Sequence, residues 1–188
     1  MKVLHIDSSI TGAASVTRQL SSAVVDALKA RTPDLQVVRR DLDAQPLTHL
    51  DGASLAGLAD GAVVQEFLEA DVVVIGAPMY NFSVSSQLKA WLDRVMIAGK
   101  TFRYTAEGKV EGLAGGRTVI IASARGGAYG ADTPNAAADF QEPYLRTAFG
   151  FIGVTDVRFV RAEGVAYGPD ARQAAVDAAL ASAQALAA

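Results

Sequence analysis

The sequence predicts a doubly wound α/β fold, a parallel sheet of about five strands with helices on both faces. Three observations predict it. Strand-like segments alternate with helical spacing along the whole chain, with no repeat, linker or break in composition. One segment, Asp71–Pro78, is a continuous β-branched apolar run, the mark of a strand covered on both faces as in a parallel sheet. Right-handed crossovers between such strands then place helices on both sides.

Each element has its own signal. Val3-Leu4-His5-Ile6 is short and apolar and stops at Asp7-Ser8-Ser9, so it reads as a buried strand entering a polar loop. From Ser15, residues Leu20, Val24, Ala27 and Leu28 recur at helical spacing, and Pro33 lies just past the last turn. Gln36 to Asp41 is a second strand. Asp43 to Gly61 mixes Pro46, Gly52, Gly57 and Gly61 and reads as a loop with at most a short helix, followed by a helical turn or two over Val63 to Ala70. After the third strand, Asp71–Pro78, Ser85 caps a helix whose Leu88, Trp91, Leu92 and Val95 form an apolar stripe, with Gly99 as its stop. A long connection, Lys100 to Gly116, carries Phe102 and Tyr104, and connections of that length in a compact domain are often functional. Thr118 to Ser123 is the fourth strand, Tyr144 to Phe149 a helix, Val157 to Val160 a strand, and Pro169 to the C-terminus an Ala-rich helix with Val176, Leu180 and Ala183 inward.

The 188 residues suit one domain, residues 1–188, that buries a core without metals or disulfides. With 51% hydrophobic and 20% charged residues the chain is globular, and no apolar run approaches a bilayer span. A net charge of -3 lacks the basic footprint of a nucleic-acid or anionic-membrane binder, so small molecules are the expected partners. The absence of cysteine excludes thiolate metal sites and a cysteine nucleophile. His5 and Asp7 interrupt the first apolar stretch, so no secretory signal is expected and the cytoplasm is the expected compartment.

In a sheet of this kind ligands bind beyond the carboxyl ends of the strands. The loop after the first strand, Asp7 to Thr17, sets Ser8, Ser9, Thr11, Ser15 and Thr17 beside a helix start, where free amides and hydroxyls suit a phosphate. It has neither the Gly-x-Gly-x-x-Gly spacing of a dinucleotide site nor the Gly-Lys-Ser/Thr ending of a triphosphate loop, so a phosphate monoester is preferred. A helix cap and a satisfied turn use such hydroxyls equally well. The loop after the third strand, Pro78-Met79-Tyr80-Asn81-Phe82-Ser83-Val84, is aromatic and apolar where polar turns are usual, which fits a flat tricyclic ring or a cover for the sheet end. After the fourth strand, Arg125-Gly126-Gly127 lets the backbone approach a ligand, with Arg125 either offering charge or solvated. His5 and His49 show no nucleophile or metal spacing and read as structural or solvated.

Pro78-Met79-Tyr80-Asn81-Phe82, Ser86-Gln87-Leu88-Lys89, Thr101-Phe102-Arg103-Tyr104 and Phe149-Gly150-Phe151-Ile152-Gly153 together closely resemble the FMN-dependent NADH azoreductase and quinone reductase family. The likeness covers nearly the whole chain. It implies a flavodoxin-like, three-layer α/β/α homodimer with FMN near the subunit interface and NADH or NADPH as electron donor. Family FMN contacts then fall on Ser9, Ser15, Val16, Thr17, Pro78, Met79, Tyr80, Asn81, Phe82, Ser123, Arg125, Gly126 and Gly127. The resemblance also implies that Phe102, Tyr104 and Phe151 wall the acceptor pocket over the partner's flavin. Two departures stand out: Ala124, not a serine, precedes Arg125, and the segment between Leu50 and Val63 is shorter than in other members. The implied activity is two-electron, ping-pong reduction of quinones and aromatic azo compounds, in which the flavin does the chemistry and no catalytic side chain or metal is required. The alternative on the same fold is a non-enzymatic flavodoxin-type electron carrier, although carriers are usually strongly acidic.

Overall fold

The computed structural model describes residues 1–55, 57 and 61–186. Five parallel strands form the central sheet: β1 (Lys2–Asp7), β2 (Gln36–Asp41), β3 (Val72–Pro78), β6 (Thr118–Ala124) and β7 (Asp156–Ala162), in the order β2-β1-β3-β6-β7. That order is the flavodoxin-like arrangement, and it reverses between β1 and β3, where a crevice opens beyond the strand ends. Register runs Leu4 opposite Val38 and Val73, Ile75 opposite Ile121, and Ile121 opposite Phe159. β3 is buried at every position, as its unbroken apolar run requires.

Two helical layers cover the sheet. On one face α1 (Val16–Arg31) and α6 (Pro169–Leu186) pack Leu20, Val24, Val176, Ala179 and Ala183 onto Val3, Val74, Ile120 and Val160. Leu180, expected to face inward, is half-buried at the edge of that layer, and Ala179 takes the inner position. The final residues, 187 and 188, of the helix expected to reach the C-terminus lie outside the described residues, as do 56 and 58–60 of the expected loop. On the other face α3 (Ala62–Glu69), α4 (Ser86–Val95) and α5 (Glu142–Phe151) bury Phe67, Trp91 and Phe149. The Phe67 ring meets Trp91 edge-on at 5.9 Å and stacks on Phe149 at 6.5 Å. Burying each Leu or Phe of this layer contributes about 1.5–3 kcal/mol. A short helix, α2 (Gly52–Leu55), lies within the segment read as a loop with at most a short helix.

Ser15 and Ser85 are the expected caps, accepting from the amides of Arg18 and Leu88 at 3.2 Å. α4 stops at Val95, four residues before the expected glycine. The connection from Lys100 to Gly116, read as a loop, contains an antiparallel pair, β4 (Phe102–Tyr104) and β5 (Val110–Gly112). Gly112 packs so closely on the Ile152–Gly153 turn that a Cβ there would overlap its backbone. Among the described residues no helix is long and apolar enough to cross a membrane.

Candidate functional site

The crevice between β1 and β3 holds a cavity of about 400 Å3 lined by Ser9, Thr11, Ala14, Ser15, Val16, Thr17, Pro78, Met79, Tyr80, Ala124, Gly126, Val165 and Arg172. Its walls come from the loops after β1, β3, β6 and β7 and from the first turn of α6. Part of the lining is hydroxyl-rich. Ser9 Oγ lies 3.0 Å from Thr11 Oγ1 and Ser15 Oγ lies 3.1 Å from Thr17 Oγ1, all at the start of α1, where the first backbone amides have no partner within the helix. The lining also includes the apolar Pro78 and Met79 and the Tyr80 ring.

The hydroxyl loop is held rigid from below. Gly76 leaves room for the Asp7 carboxylate, since a Cβ there would stand 2.9 Å from Asp7 Oδ1. Asp7 accepts from Ser21 Oγ and Arg39 Nη2, each at 2.9 Å, and Ser21 Oγ in turn lies 2.9 Å from His5 Nε2. Burial pushes the Asp7 carboxyl up, but bonds and charge from His5, then Arg39 and Ser21, outweigh it and hold the group below the usual carboxylate range. Arg18 ties the loop sideways, donating to the Ser9 carbonyl at 2.9 Å and to Asp41 Oδ1 at 2.8 Å. The Arg18 bond lowers the Asp41 pKa to about 2. His5 is therefore structural, and His49 is exposed to solvent.

Tyr80 joins the two loops, its hydroxyl 3.3 Å from both Ser9 Oγ and the Ile10 amide. The backbone of Tyr80 and Ser83 pairs in both directions at 3.0 and 3.2 Å, leaving Asn81 and Phe82 as a two-residue turn with φ of 47° and 73°. Positive φ at both positions is the type I′ pattern, which favours Asn then Gly. Phe at the second place is strained, and it holds an aromatic ring half in solvent, edge-on to Tyr129 at 6.3 Å. Asn81 lines an adjoining hollow with Tyr80, Val84 and Tyr144.

Five of the expected residues do not line the cavity: Asn81 and Phe82 of this turn, and Arg125, Ser123 and Gly127. Arg125 is neither solvated nor turned into the cavity. It is 1% exposed, and its guanidinium meets Glu142 Oε1 at 2.7 Å, Glu163 Oε1 and Asp139 Oδ2 at 3.1 Å, and Gln141 Oε1 at 3.3 Å. Its backbone accepts from the Val165 amide at 3.1 Å, so it fixes the Gly126-Gly127 loop beside the loop after β7. Ser123 is fully buried in β6, with no partner for its Oγ among the described residues, and does not line the cavity. Gly127 backs the Tyr129 ring, while Gly126 borders the cavity. Phe102, Tyr104 and Phe151 do form a cluster, with Phe102 4.7 Å from Phe151 and 5.7 Å from Tyr104. Phe102 and Phe151 line a separate apolar depression of about 660 Å3 with Leu50, Leu55, Met96 and Ile97. Sequence reasoning missed Val165 and Arg172 as wall residues, for both lie beyond the last strand, where no local motif marks them.

Comparison with known proteins agrees with this geometry. The Flavodoxin_2 family, described as a flavodoxin-like fold, matches residues 1–187. A relative from Methylocella silvestris, named FMN-dependent NADH:quinone oxidoreductase, is 58% identical over 192 residues, covering 94% of each chain. An azoreductase structure from Bacillus anthracis str. Sterne superposes with a TM-score of 0.89 at 29% identity, covering 100% of this chain and 98% of the other. A second, an FMN-dependent NADH-azoreductase from Bacillus anthracis str. Ames Ancestor in complex with FMN, gives 0.85 at 25% identity, covering 100% and 99%. With the match running over nearly its full length, the chain belongs to the Flavodoxin_2 family.

Proposed function

We propose that this chain is a cytoplasmic, single-domain, homodimeric FMN-dependent NADH:quinone oxidoreductase that also reduces aromatic azo compounds. The observation that carries the reading is the cavity at the β1/β3 crevice, lined by buried hydroxyls together with Met79, Tyr80 and Gly126. Its residues fit FMN. Ser9 and Thr17 are each 1% exposed, and the hydroxyls bond chiefly to one another, leaving acceptor and donor capacity at an amide-rich helix start for a terminal phosphate. The names of the relatives, quinone oxidoreductases and azoreductases, support the same assignment.

In this reading Ser9, Ser15 and Thr17, with the first amides of α1, hold the phosphate, while Pro78, Met79, Tyr80 and Gly126 border the ring. FMN bound there supplies the redox chemistry, hydride acceptance from NADH or NADPH and two-electron reduction of a quinone or azo acceptor. Phe82, on its strained turn, and Tyr129 present aromatic edges beside that border. The Phe102, Tyr104 and Phe151 cluster stands apart from the chain's own cavity, which supports its serving the pocket of a second copy.

The visible spectrum of the purified protein, after FMN is added and excess removed, tests the cofactor. A retained flavin spectrum, with NADH oxidised in the presence of menadione along parallel steady-state lines, is expected. A colourless protein overturns the assignment. Flavin retained without NADH oxidation leaves the electron-carrier alternative, and light scattering at one chain mass removes the dimer.

A further inference from the structure

Among the described residues, Arg172 is the one charged side chain lining the cavity. It projects from the first turn of α6, and its Nη2 donates to the Ala14 carbonyl at 3.2 Å, within the hydroxyl loop. Of five guanidinium donors this uses one, and among the described residues the side chain makes no ion pair. Its position gains nothing for its own helix, because a cation at a helix start opposes the macrodipole. The other cation beneath the loop, Arg18, is already committed to Asp41, Asp43, Asp7 and the Ser9 carbonyl. The hydroxyls of Ser9, Thr11, Ser15 and Thr17 are neutral, so a phosphate dianion placed among them lacks a free counter-charge except at Arg172.

Resting on the FMN reading above, we infer that Arg172 is a phosphate-binding side chain by which the pocket distinguishes a phosphorylated flavin from the unphosphorylated one. The ring-bordering residues treat FMN and riboflavin alike, so discrimination resides at the phosphate end. A guanidinium tethered by a single bond to Ala14 keeps its remaining donors available to phosphate oxygens while staying beside the loop.

The test is titration of flavin-free protein with FMN and with riboflavin, followed by quenching of flavin fluorescence, at low and high ionic strength. Arg172→Gln should weaken FMN about fivefold to tenfold at low ionic strength and leave riboflavin within about twofold. The salt dependence of FMN binding should flatten in this variant, and Arg172→Lys should restore most of the affinity and the salt slope. Equal weakening of both flavins would show that Arg172 only braces Ala14 and would overturn the inference, as would unchanged FMN binding. A wild-type protein that quenches neither flavin overturns the cofactor reading itself, whereas wild-type binding of FMN with an indifferent Arg172→Gln overturns the inference alone.

Discussion

At Arg125 a guanidinium buried to 1% exposure is balanced by Asp139, Glu142 and Glu163, with Gln141 completing its fork. Arg125→Ala leaves Asp139 and Glu163 without this cation while Glu142 keeps Arg161, and a denaturant titration should show a loss of about 3 kcal/mol together with weaker flavin binding. The sequence pointed to this arginine but not to its role, because adjacent glycines resemble a mobile loop and the balancing acids lie up to 38 positions away. Phe82 is the reverse case. Its aromatic neighbourhood was legible, while its φ of 73° emerges only from the Tyr80–Ser83 pairing. Phe82→Gly should relieve the turn, raising the thermal midpoint by the equivalent of about 0.5–1 kcal/mol, while flavin or acceptor binding weakens. Asp41 carries a pH signature. Its folded pKa of about 2 lies below the usual 3.8, so its contribution is full above that ordinary value and is lost as pH falls through about 2. Asp41→Asn, partly screened by solvent, should cost about 1 kcal/mol at neutral pH, and urea midpoints of variant and wild type should converge in strong acid.

The long strands and the amphipathic helices were readable because each meets the core along one regular period. The Leu88, Trp91, Leu92, Val95 stripe is buried as the helical period demands, and Val72 to Pro78 is buried throughout as an unbroken apolar run demands. The β4–β5 hairpin was not, since three residues a side cannot display an alternation, and its stabilisation is tertiary. Arg103 bridges to Glu111 across the pair at 2.8 and 3.0 Å, and β5 lies against the turn that ends α5. Bridges this exposed contribute little, so the backbone approach of Gly112 to Gly153 is the stronger restraint. Gly112→Ala must push the hairpin away, and thermal unfolding should register a loss of about 2 kcal/mol or more. Raised acceptor KM with flavin binding unchanged would place the hairpin on the substrate side, as the Phe102 cluster suggests.

The strand order sets the crevice, and every loop that borders it returns to the same corner, so ligand binding and global stability are coupled. FMN should raise the unfolding free energy with its concentration, by about 2.7 kcal/mol at a hundredfold excess over Kd, and riboflavin should raise it less at equal concentration. The corner itself was legible from the three loops after β1, β3 and β6, whereas the contribution of α6 was not, since it depends on a helix returning beside α1. Arg172 and Ala14 stand 158 positions apart in the chain yet share one hydrogen bond. During synthesis, then, a ribosome-bound polypeptide has its hydroxyl loop long before the opposing guanidinium emerges. Full affinity for the coenzyme would therefore wait for α6 to emerge and fold back beside the loop.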